Sequence, residues 1–236
     1  EDADLELALE GAVWGAFGTS GQRCTATSRL ILHRDIKDKF TTMLKERSSK
    51  LILGAGTDQK TEICPIINER QLQRVNKYID IAREEGAKII LGGEIANQDE
   101  LQNGYFFQPT ILDNVTPNMR VAQEEIFGPV VALLTVNSFE EAIEIINNTK
   151  YGLSSSIYTR DINRAFTAMR DIEAGITYIN GPTIGAEVHL PFGGVKQTGN
   201  GHREAGNIVL DVFSEWKTVY VDFSGTLQRA QIDNRE

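Results

Sequence analysis

The sequence predicts an α/β fold built around a parallel β-sheet, and two observations support this. From residue 130 onward, short apolar segments alternate with segments of helical periodicity, which is the pattern of βαβ units. Ser138 and Glu141 form an S-x-x-E capping box at the start of the first of these helices. We therefore expect strands at 130–136, 153–159 and 175–181, and helices at 138–148 and 161–172.

The first half of the chain and its end add further elements. A helix capped by Asp4 repeats apolar residues every three to four positions and ends near Gly18. The stretch 182–207, rich in glycine and proline, breaks the alternation and is expected to be a functional loop. The remaining predictions are strands at 28–33 and 87–93, helices at 36–51 and 69–85, an extended segment at 105–115, and a last strand at 214–223.

The composition excludes several classes of protein. With 236 residues, 41% of them hydrophobic, the chain is able to bury a sizeable core. Its net charge of −9 and scattered basic residues argue against a nucleic-acid partner. The apolar run at 130–136 is too short to span a bilayer. Only two cysteines and no visible signal peptide favour the cytoplasm, and a start without methionine suggests a processed product or a piece of a longer protein.

Motifs for metals and nucleotide phosphates are missing. The sequence has no C-x-x-C pair and no H-E-x-x-H, so no zinc site is expected. It has no P-loop, and the G-x-G beginning at Gly199 lacks the third glycine of the dinucleotide fingerprint. The sequence therefore predicts no metal site and no dinucleotide-phosphate site of its own.

Cys24 is the candidate for reactive chemistry. Taken alone, such a thiol is more often a buried small hydrophobic residue. A nucleophile is the alternative, because Gly18 and Gly21 allow close approach of a ligand and Arg23 is able to stabilise a thiolate or an anionic substrate. A cysteine–histidine hydrolase stays open as a further alternative. Its histidine would be one of His33, His189 and His202.

Four segments carry a recognisable pattern, in this order and over nearly the whole chain: "GQRCTATSRL", "EEIFGPVV", "YGLSSSIYTRD" and "GITYINGPTIGAEVHLPFGGVKQTGNGHREAG". Together they resemble the aldehyde dehydrogenase family. The match is to roughly the C-terminal half of a full-length enzyme of this family. It implies a three-layer α/β catalytic domain at 1–208. It also implies a C-terminal segment at 209–236 with an oligomerisation strand and a polar tail.

The resemblance assigns roles to individual residues. Cys24 is the nucleophile that forms a thiohemiacetal and then a thioester, and its N–H supplies half of an oxyanion hole. Glu125 holds the nicotinamide ribose and Phe127 packs beside it. Gln71 and Arg74 are further ribose contacts or, equally well, solvated helix residues.

The remaining assignments concern the substrate and the second cysteine. Phe192 lines the aldehyde tunnel or is ordinary core packing. Arg23 is similar to what is seen in family members that act on anionic aldehydes, so a semialdehyde acid or an acidic sugar aldehyde is expected. Cys64 stands where the family usually has glycine and is interpreted as structural.

The implied function is oxidation of a small aldehyde to its acid with NAD or NADP. The general base, a glutamate of an E-L-G-G stretch, and the main cofactor-binding domain would lie outside this chain. We therefore expect the isolated polypeptide to be inactive, to need the missing N-terminal portion as a partner, and to form a homo-oligomer, a dimer or a tetramer. The alternatives are a non-catalytic product that keeps the fold and assembly surface, and a weak thiol esterase using Cys24.

Overall fold

A computed structural model describes residues 1–227 of the chain; residues 228–236, part of the predicted polar tail, lie outside the described residues. The helices are α1 Leu5–Phe17, α2 Arg34–Ser48, α3 Glu69–Glu84, α4 Arg120–Gln123, α5 Phe139–Asn147, α6 Ile162–Asp171 and α7 Val209–Val212. The strands are β1 Arg29–His33, β2 Lys88–Leu91, β3 Ile95–Ala96, β4 Phe106–Phe107, β5 Thr110–Asp113, β6 Val130–Val136, β7 Ser154–Ile157 and β8 Ile176–Ile179. None of the helices in residues 1–227 is long and apolar enough to cross a bilayer.

The sheets are mostly parallel, which confirms the predicted α/β class. The larger sheet has the strand order β1-β6-β5-β2, and β7 pairs with β8 in a separate parallel sheet. One strand departs from the predicted parallel sheet, because β2 runs antiparallel to β5. The chain between these two strands holds only the β3–β4 pair and a short 3₁₀ turn. A parallel pairing needs a longer crossover, usually a helix.

Helices cover both faces of the larger sheet. Along β6, Ala132 and Leu134 pack with residues of α3, whereas Val131 and Leu133 pack with residues of α1 and α2. All four residues are nearly inaccessible to solvent. A central parallel strand buried on both faces reads as a continuous apolar run, as "VVALLTV" does, and the result is a three-layer domain.

The helix caps follow the sequence closely. The Leu7 N–H donates to the Asp4 carboxylate at 3.2 Å, and the Glu141 N–H donates to Ser138 Oγ at 3.1 Å. The Glu141 carboxylate accepts from the N–H of Asn137, at 2.6 Å, rather than from that of Ser138. The capping box is therefore irregular: its second hydrogen bond, to the Glu141 carboxylate, comes from the residue before the N-cap instead of from the N-cap itself.

The helix predicted at 36–51 lies at 34–48 instead. Its first turn is capped by His33, whose ring accepts from the Asp35 N–H, and histidine is not among the residues that signal a helix start. The other predicted helices begin and end within one residue of their expected positions.

Residues 214–223 form no strand in the described chain, so the predicted last strand is not present here. The segment is exposed and has no neighbouring strand among residues 1–227. A β-strand exists only with a partner. The expectation that this segment pairs with another subunit stays a prediction.

Asp2 ties the first residues to the end of β7. Its carboxylate accepts from Thr159 Oγ1 at 2.7 Å and from the N–H of Arg160 at 2.9 Å. Burial raises the pKa of Asp2, but the hydrogen bonds from Thr159, Arg160 and Asp161 lower it by more, from 3.8 to about 2. The ionised form is therefore the one that stabilises the fold.

We predict that Asp2→Asn lowers the free energy of unfolding at neutral pH by about 1–2 kcal/mol. Because the folded-state pKa is depressed, this contribution is complete above about pH 4 and is lost as the pH falls toward about 2. Urea unfolding at a series of pH values checks this. Asp38→Asn, at an exposed carboxylate with no side-chain partner among the described residues, should leave the profile unchanged, and parallel profiles for Asp2→Asn and wild type would contradict the prediction.

Candidate active site

Cys24 lies in the loop of residues 18–28 between α1 and β1, here called the thiol loop. Its side chain is exposed and forms no disulfide, so the simple interpretation as a buried filler is wrong. The Ala26 N–H donates to the Arg23 carbonyl in a turn around the cysteine. The N–H of Cys24 itself donates no hydrogen bond to any residue among 1–227. Both the thiol and this N–H are therefore available to a ligand.

Gly21 brings the thiol loop against a second segment, residues 124–129, here called the carboxylate segment. Gly21 has φ +63°, and a Cβ at this position would lie 1.9 Å from the carbonyl oxygen of Gly128. Only glycine combines this backbone conformation with so close an approach of two backbones. The two segments that the sequence pattern selected are thus in direct contact.

Two side chains fasten the thiol loop to residues 64–67. Ser20 Oγ donates to the carbonyl of Cys64 at 2.7 Å. The Gln22 amide donates to the Pro65 carbonyl at 3.1 Å and accepts from the Ile67 N–H at 2.9 Å. Cys64 thus acts structurally through its carbonyl, while its side chain is exposed.

A threonine pair fixes the other side of the thiol loop. Thr27 and Thr183 share a hydrogen bond between their hydroxyls at 2.8 Å, and Thr183 Oγ1 donates to the Thr25 carbonyl at 2.7 Å. Ser154 Oγ, at the start of β7, donates to the Thr183 carbonyl. The long loop that begins at residue 182 is therefore bonded to the thiol loop directly after Cys24.

Phe127 of the carboxylate segment has φ +61°, a conformation that an aromatic residue rarely adopts. Such strain costs about 1–3 kcal/mol and needs support from its surroundings. The Gln71 amide supplies it by donating to the carbonyls of Ile126 and Phe127, both at 2.9 Å. Arg74 donates to the Glu125 carbonyl at 2.6 Å. Gln71 and Arg74 thus hold the backbone of this segment through their side chains.

Glu124 and Glu125 are neighbours with opposite environments. Arg120 forms a bidentate pair with Glu124, and Tyr78 donates to it at 2.8 Å, which together lower its pKa to about 2. The carboxylate of Glu125 is exposed and has no hydrogen-bond or ion-pair partner in residues 1–227. Of these two carboxylates, that of Glu125 is therefore the one free to bind a ligand.

One cavity of about 380 Å³ brings these features together. Arg23, Cys24, Glu125 and Phe127 all line it, together with Thr183 of the long loop. Gln71 and Arg74 do not line it, and neither does Phe192, which pairs through its backbone with Glu204. Four of the predicted site residues therefore share a cavity, and three lie outside it.

The histidines give no support to a cysteine–histidine hydrolase. No hydrogen bond joins Cys24 to His33, His189 or His202 in the described structure, and His33 caps α2 at the far end of β1. Residues 1–227 also contain no group of three or more histidine, cysteine and acidic side chains placed to hold a metal ion.

The hydrogen bonds of Gln71 give a prediction about stability. Gln71→Ala removes a donor from two backbone carbonyls and should lower the free energy of unfolding by about 1–3 kcal/mol. Gln73→Ala, on the exposed face of the same helix, is the matched control and should change it by less than about 0.5 kcal/mol. Urea denaturation of the two variants measures both free energies of unfolding. Equal losses in Gln71→Ala and Gln73→Ala would contradict the role given to Gln71.

The fold and this cavity define an α/β domain with an exposed, free cysteine on its cavity. The family model described as "Aldehyde dehydrogenase family" matches residues 1–219. The chain therefore belongs to the aldehyde dehydrogenase family, as the sequence motifs predicted.

Individual relatives agree with this assignment. The chain is 44% identical over 221 residues to an α-ketoglutaric semialdehyde dehydrogenase of Bacillus subtilis, and the match covers 94% of the chain and 45% of the relative. It is 38% identical to a betaine aldehyde dehydrogenase of Brucella anthropi over a similar range. The chain thus spans about half the length of the curated relatives it matches.

Solved structures show the same correspondence. The betaine aldehyde dehydrogenase of Staphylococcus aureus in complex with NAD⁺ superposes with a TM-score of 0.88 at 38% identity, over 90% of this chain and 42% of that one. An NAD-dependent aldehyde dehydrogenase from Sinorhizobium meliloti gives a TM-score of 0.91 at 34% identity, over 98% of this chain and 45% of that one.

Proposed function

We propose that this chain is the catalytic portion of an NAD(P)⁺-dependent aldehyde dehydrogenase that oxidises an anionic semialdehyde to its dicarboxylic acid. The observation that carries the proposal is the position of Cys24. Cys24, whose thiol is exposed and whose N–H has no partner in residues 1–227, lines the same cavity as Phe127 and Glu125, and the Glu125 carboxylate is unpaired in that range.

Cys24 performs the covalent step of the proposed reaction. Its thiolate attacks the aldehyde carbon and forms a thiohemiacetal, whose oxygen carries negative charge as the bond forms. The Cys24 N–H, which has no partner in residues 1–227, donates to that oxygen. Loss of one such donor typically raises the barrier by about 2.7–4 kcal/mol. Loss of hydride from the same carbon then leaves a thioester on Cys24, and water cleaves its C–S bond to give the acid and return the thiol.

Glu125 and Phe127 fit the nicotinamide end of a dinucleotide. A carboxylate without a protein partner suits a pair of ribose hydroxyls, since each hydroxyl donates to one of its oxygens. When bound, NAD⁺ or NADP⁺ supplies the acceptor for the hydride. Gln71 and Arg74 contribute by holding the carboxylate segment, whose carbonyls they bind. The remaining cofactor contacts and the general base are assigned to the part of the longer relatives that this chain does not include.

Arg23 sets the proposed substrate class. It lies next to Cys24 on the cavity and has no hydrogen-bond or ion-pair partner for its guanidinium in residues 1–227. A carboxylate at the distal end of the aldehyde would supply one, in a bidentate pair. The name of the Bacillus subtilis relative supports α-ketoglutarate semialdehyde, which carries such a carboxylate. Betaine aldehyde is cationic, and Arg23 would repel it.

Complementation tests the proposal. The chain is mixed, or fused, with the N-terminal portion of the Bacillus subtilis relative, and NADH formation is followed with α-ketoglutarate semialdehyde and with betaine aldehyde. We expect activity that favours the semialdehyde and a preference that shrinks in Arg23→Gln. Equal kcat/KM for the two aldehydes in the active complex would overturn the substrate class, and an inactive but assembled complex would overturn the reaction.

Glu125→Gln should raise the KM for NAD⁺ in this complex about tenfold, because a neutral amide accepts hydrogen bonds less strongly than a carboxylate. Glu124→Gln is the matched control. It loses the pairing with Arg120 and Tyr78 and should lower thermal stability while leaving the KM for NAD⁺ near the wild-type value. A larger KM effect in Glu124→Gln than in Glu125→Gln would contradict the assignment.

We also propose a homo-oligomeric assembly. Trp216, Tyr220 and Phe223 are 89–95% exposed in the single chain, and large apolar groups at such exposure mark an interaction surface.

The two free cysteines fit a reducing compartment such as the cytoplasm.

A further inference from the structure

Asparagine is followed directly by glycine at three places in the chain. The three pairs are Asn103 and Gly104, Asn180 and Gly181, and Asn200 and Gly201. In such a pair the backbone nitrogen of glycine is able to attack the side-chain amide carbon of asparagine, because glycine has no Cβ to obstruct the approach. The attack needs a movable amide and an accessible nitrogen, so the surroundings of each pair decide whether it takes place.

The amide of Asn180 is held at both ends. Its Nδ2 donates to the Thr159 carbonyl at 3.0 Å, and its Oδ1 accepts from the Thr159 N–H at 2.9 Å. Turning this amide toward the nitrogen of Gly181 breaks both hydrogen bonds, each of which stabilises the fold by about 0.5–1.5 kcal/mol. The fold therefore protects Asn180 from the attack.

At Asn103 the glycine nitrogen is engaged instead. The Gly104 N–H donates to the Leu101 carbonyl at 3.1 Å, at the end of a 3₁₀ turn. A Cβ at Gly104 would lie 2.6 Å from the ring of Phe106, which is buried. The backbone of Gly104 is thus packed against a fixed ring, and its nitrogen has to break a hydrogen bond before it reacts. The fold slows the attack at this pair as well.

Asn200 has neither form of protection. Asn200 and Gly201 are both exposed, and a Cβ at Gly201 would meet no atom within 4 Å. The Gly201 N–H and the Asn200 Nδ2 donate to no group in residues 1–227. Asn200 Oδ1 accepts from the His202 N–H at 3.1 Å, which keeps the side-chain amide folded back along the backbone of Gly201.

We propose that Asn200 is a modification site, at which the folded chain deamidates selectively. The Gly201 nitrogen gives up its proton to hydroxide and bonds to Asn200 Cγ. The bond between Cγ and Nδ2 then breaks, and the amide nitrogen leaves as ammonia after taking a proton from water. Water finally opens the resulting cyclic imide at either of its two C–N bonds and leaves aspartate or isoaspartate at position 200.

The hydrogen bond from His202 favours this reaction. Negative charge develops on Asn200 Oδ1 as the new bond forms, and the His202 N–H already donates to that oxygen. A donor placed at a developing oxyanion lowers the barrier. The local fold therefore promotes the attack at Asn200, whereas it impedes the attack at the other two pairs.

The product changes the long loop. Deamidation adds a negative charge to a chain whose net charge is already −9. Asn200 lies between Phe192 and Glu204, whose backbones pair with each other. Isoaspartate carries the backbone through its Cβ, so it lengthens the segment that this pairing closes.

The test follows deamidation of the full 236-residue chain by peptide mapping with mass spectrometry, at neutral and at mildly alkaline pH. We expect the peptide with Asn200 to gain the mass difference between NH₂ and OH at least about tenfold faster than the peptides with Asn103 and Asn180. Incubation in urea is the control, since unfolding removes the contacts of all three pairs and should bring their rates together. Similar rates for the three pairs in the folded chain, or a faster rate at Asn103 or Asn180, would overturn the proposal.

Two variants provide a second measurement on the folded chain. Asn200→Gln should abolish the early acidic form seen on ion exchange, because the longer side chain closes its imide ring much less readily. Asn103→Gln is the matched control, at another exposed asparagine, and should leave the rate of that form unchanged. Equal accumulation of the acidic form in Asn200→Gln and wild type would also overturn the proposal. Neither measurement depends on dehydrogenase activity.

Discussion

Cys24→Ala is expected to lower kcat of the complemented enzyme by roughly 10⁴-fold or more, the usual consequence of deleting a covalent nucleophile. The side chain is exposed, so the change should alter the free energy of unfolding by less than about 0.5 kcal/mol. NADH formation under saturating substrate, together with urea unfolding of the same preparation, separates loss of chemistry from loss of fold.

Cys64→Ala is the matched control, because it also removes an exposed, free thiol. The carbonyl of residue 64 still accepts from Ser20 in this variant, so the thiol loop keeps its anchor. Activity should stay near that of the wild type. A Cys24→Ala enzyme that keeps more than a tenth of the wild-type kcat would contradict the role of Cys24.

Gly21→Ala is expected to have the second largest effect, on both stability and activity. An added Cβ would lie 1.9 Å from the Gly128 carbonyl oxygen, and the φ of +63° is itself unfavourable for alanine. Strain of this kind typically costs about 1–2 kcal/mol for the backbone, with about 1–3 kcal/mol more for the clash. The thiol loop and the carboxylate segment must separate to relieve it, which displaces Cys24 from Glu125.

Gly86→Ala isolates the backbone contribution. Gly86 also has a positive φ, +90°, but a Cβ there would meet no atom within 4 Å. This variant should lose about 1–2 kcal/mol of stability and keep its activity once folded. Equal loss of kcat in the two variants, measured below their melting temperatures, would show that the contact of Gly21 with Gly128 does not position the site.

Much of the fold follows from the sequence because the patterns are local. The alternation of short apolar segments with segments of helical periodicity places β6, α5, β7, α6 and β8 within two residues of their expected ends. The antiparallel direction of β2 is not local, since it depends on how the chain between β2 and β5 packs. The segment 214–223 shows the same limit, because its residues favour a strand but no strand of residues 1–227 pairs with it.

The candidate site likewise has features that the sequence indicates and features that it does not. The resemblance to the family selects Cys24, Glu125 and Phe127, and the structure brings them to one cavity. Nothing in the sequence indicates that Phe127 takes a left-handed conformation or that Gln71 binds the carbonyls around it. Both features depend on long-range contacts. Gln22 stood beside Cys24 in the motif, and its position there was the only signal of its anchoring role.

The most direct test of the account is the identity of the covalent intermediate. The complemented enzyme is mixed with NAD⁺ and α-ketoglutarate semialdehyde, quenched in acid during turnover, digested and analysed by mass spectrometry. We expect a thioester on the peptide that contains Cys24, which makes this peptide heavier by the mass of the acyl group and is absent without NAD⁺. NADH formation with the acyl group on Cys64, or with none on Cys24 when hydrolysis is slowed, would contradict it.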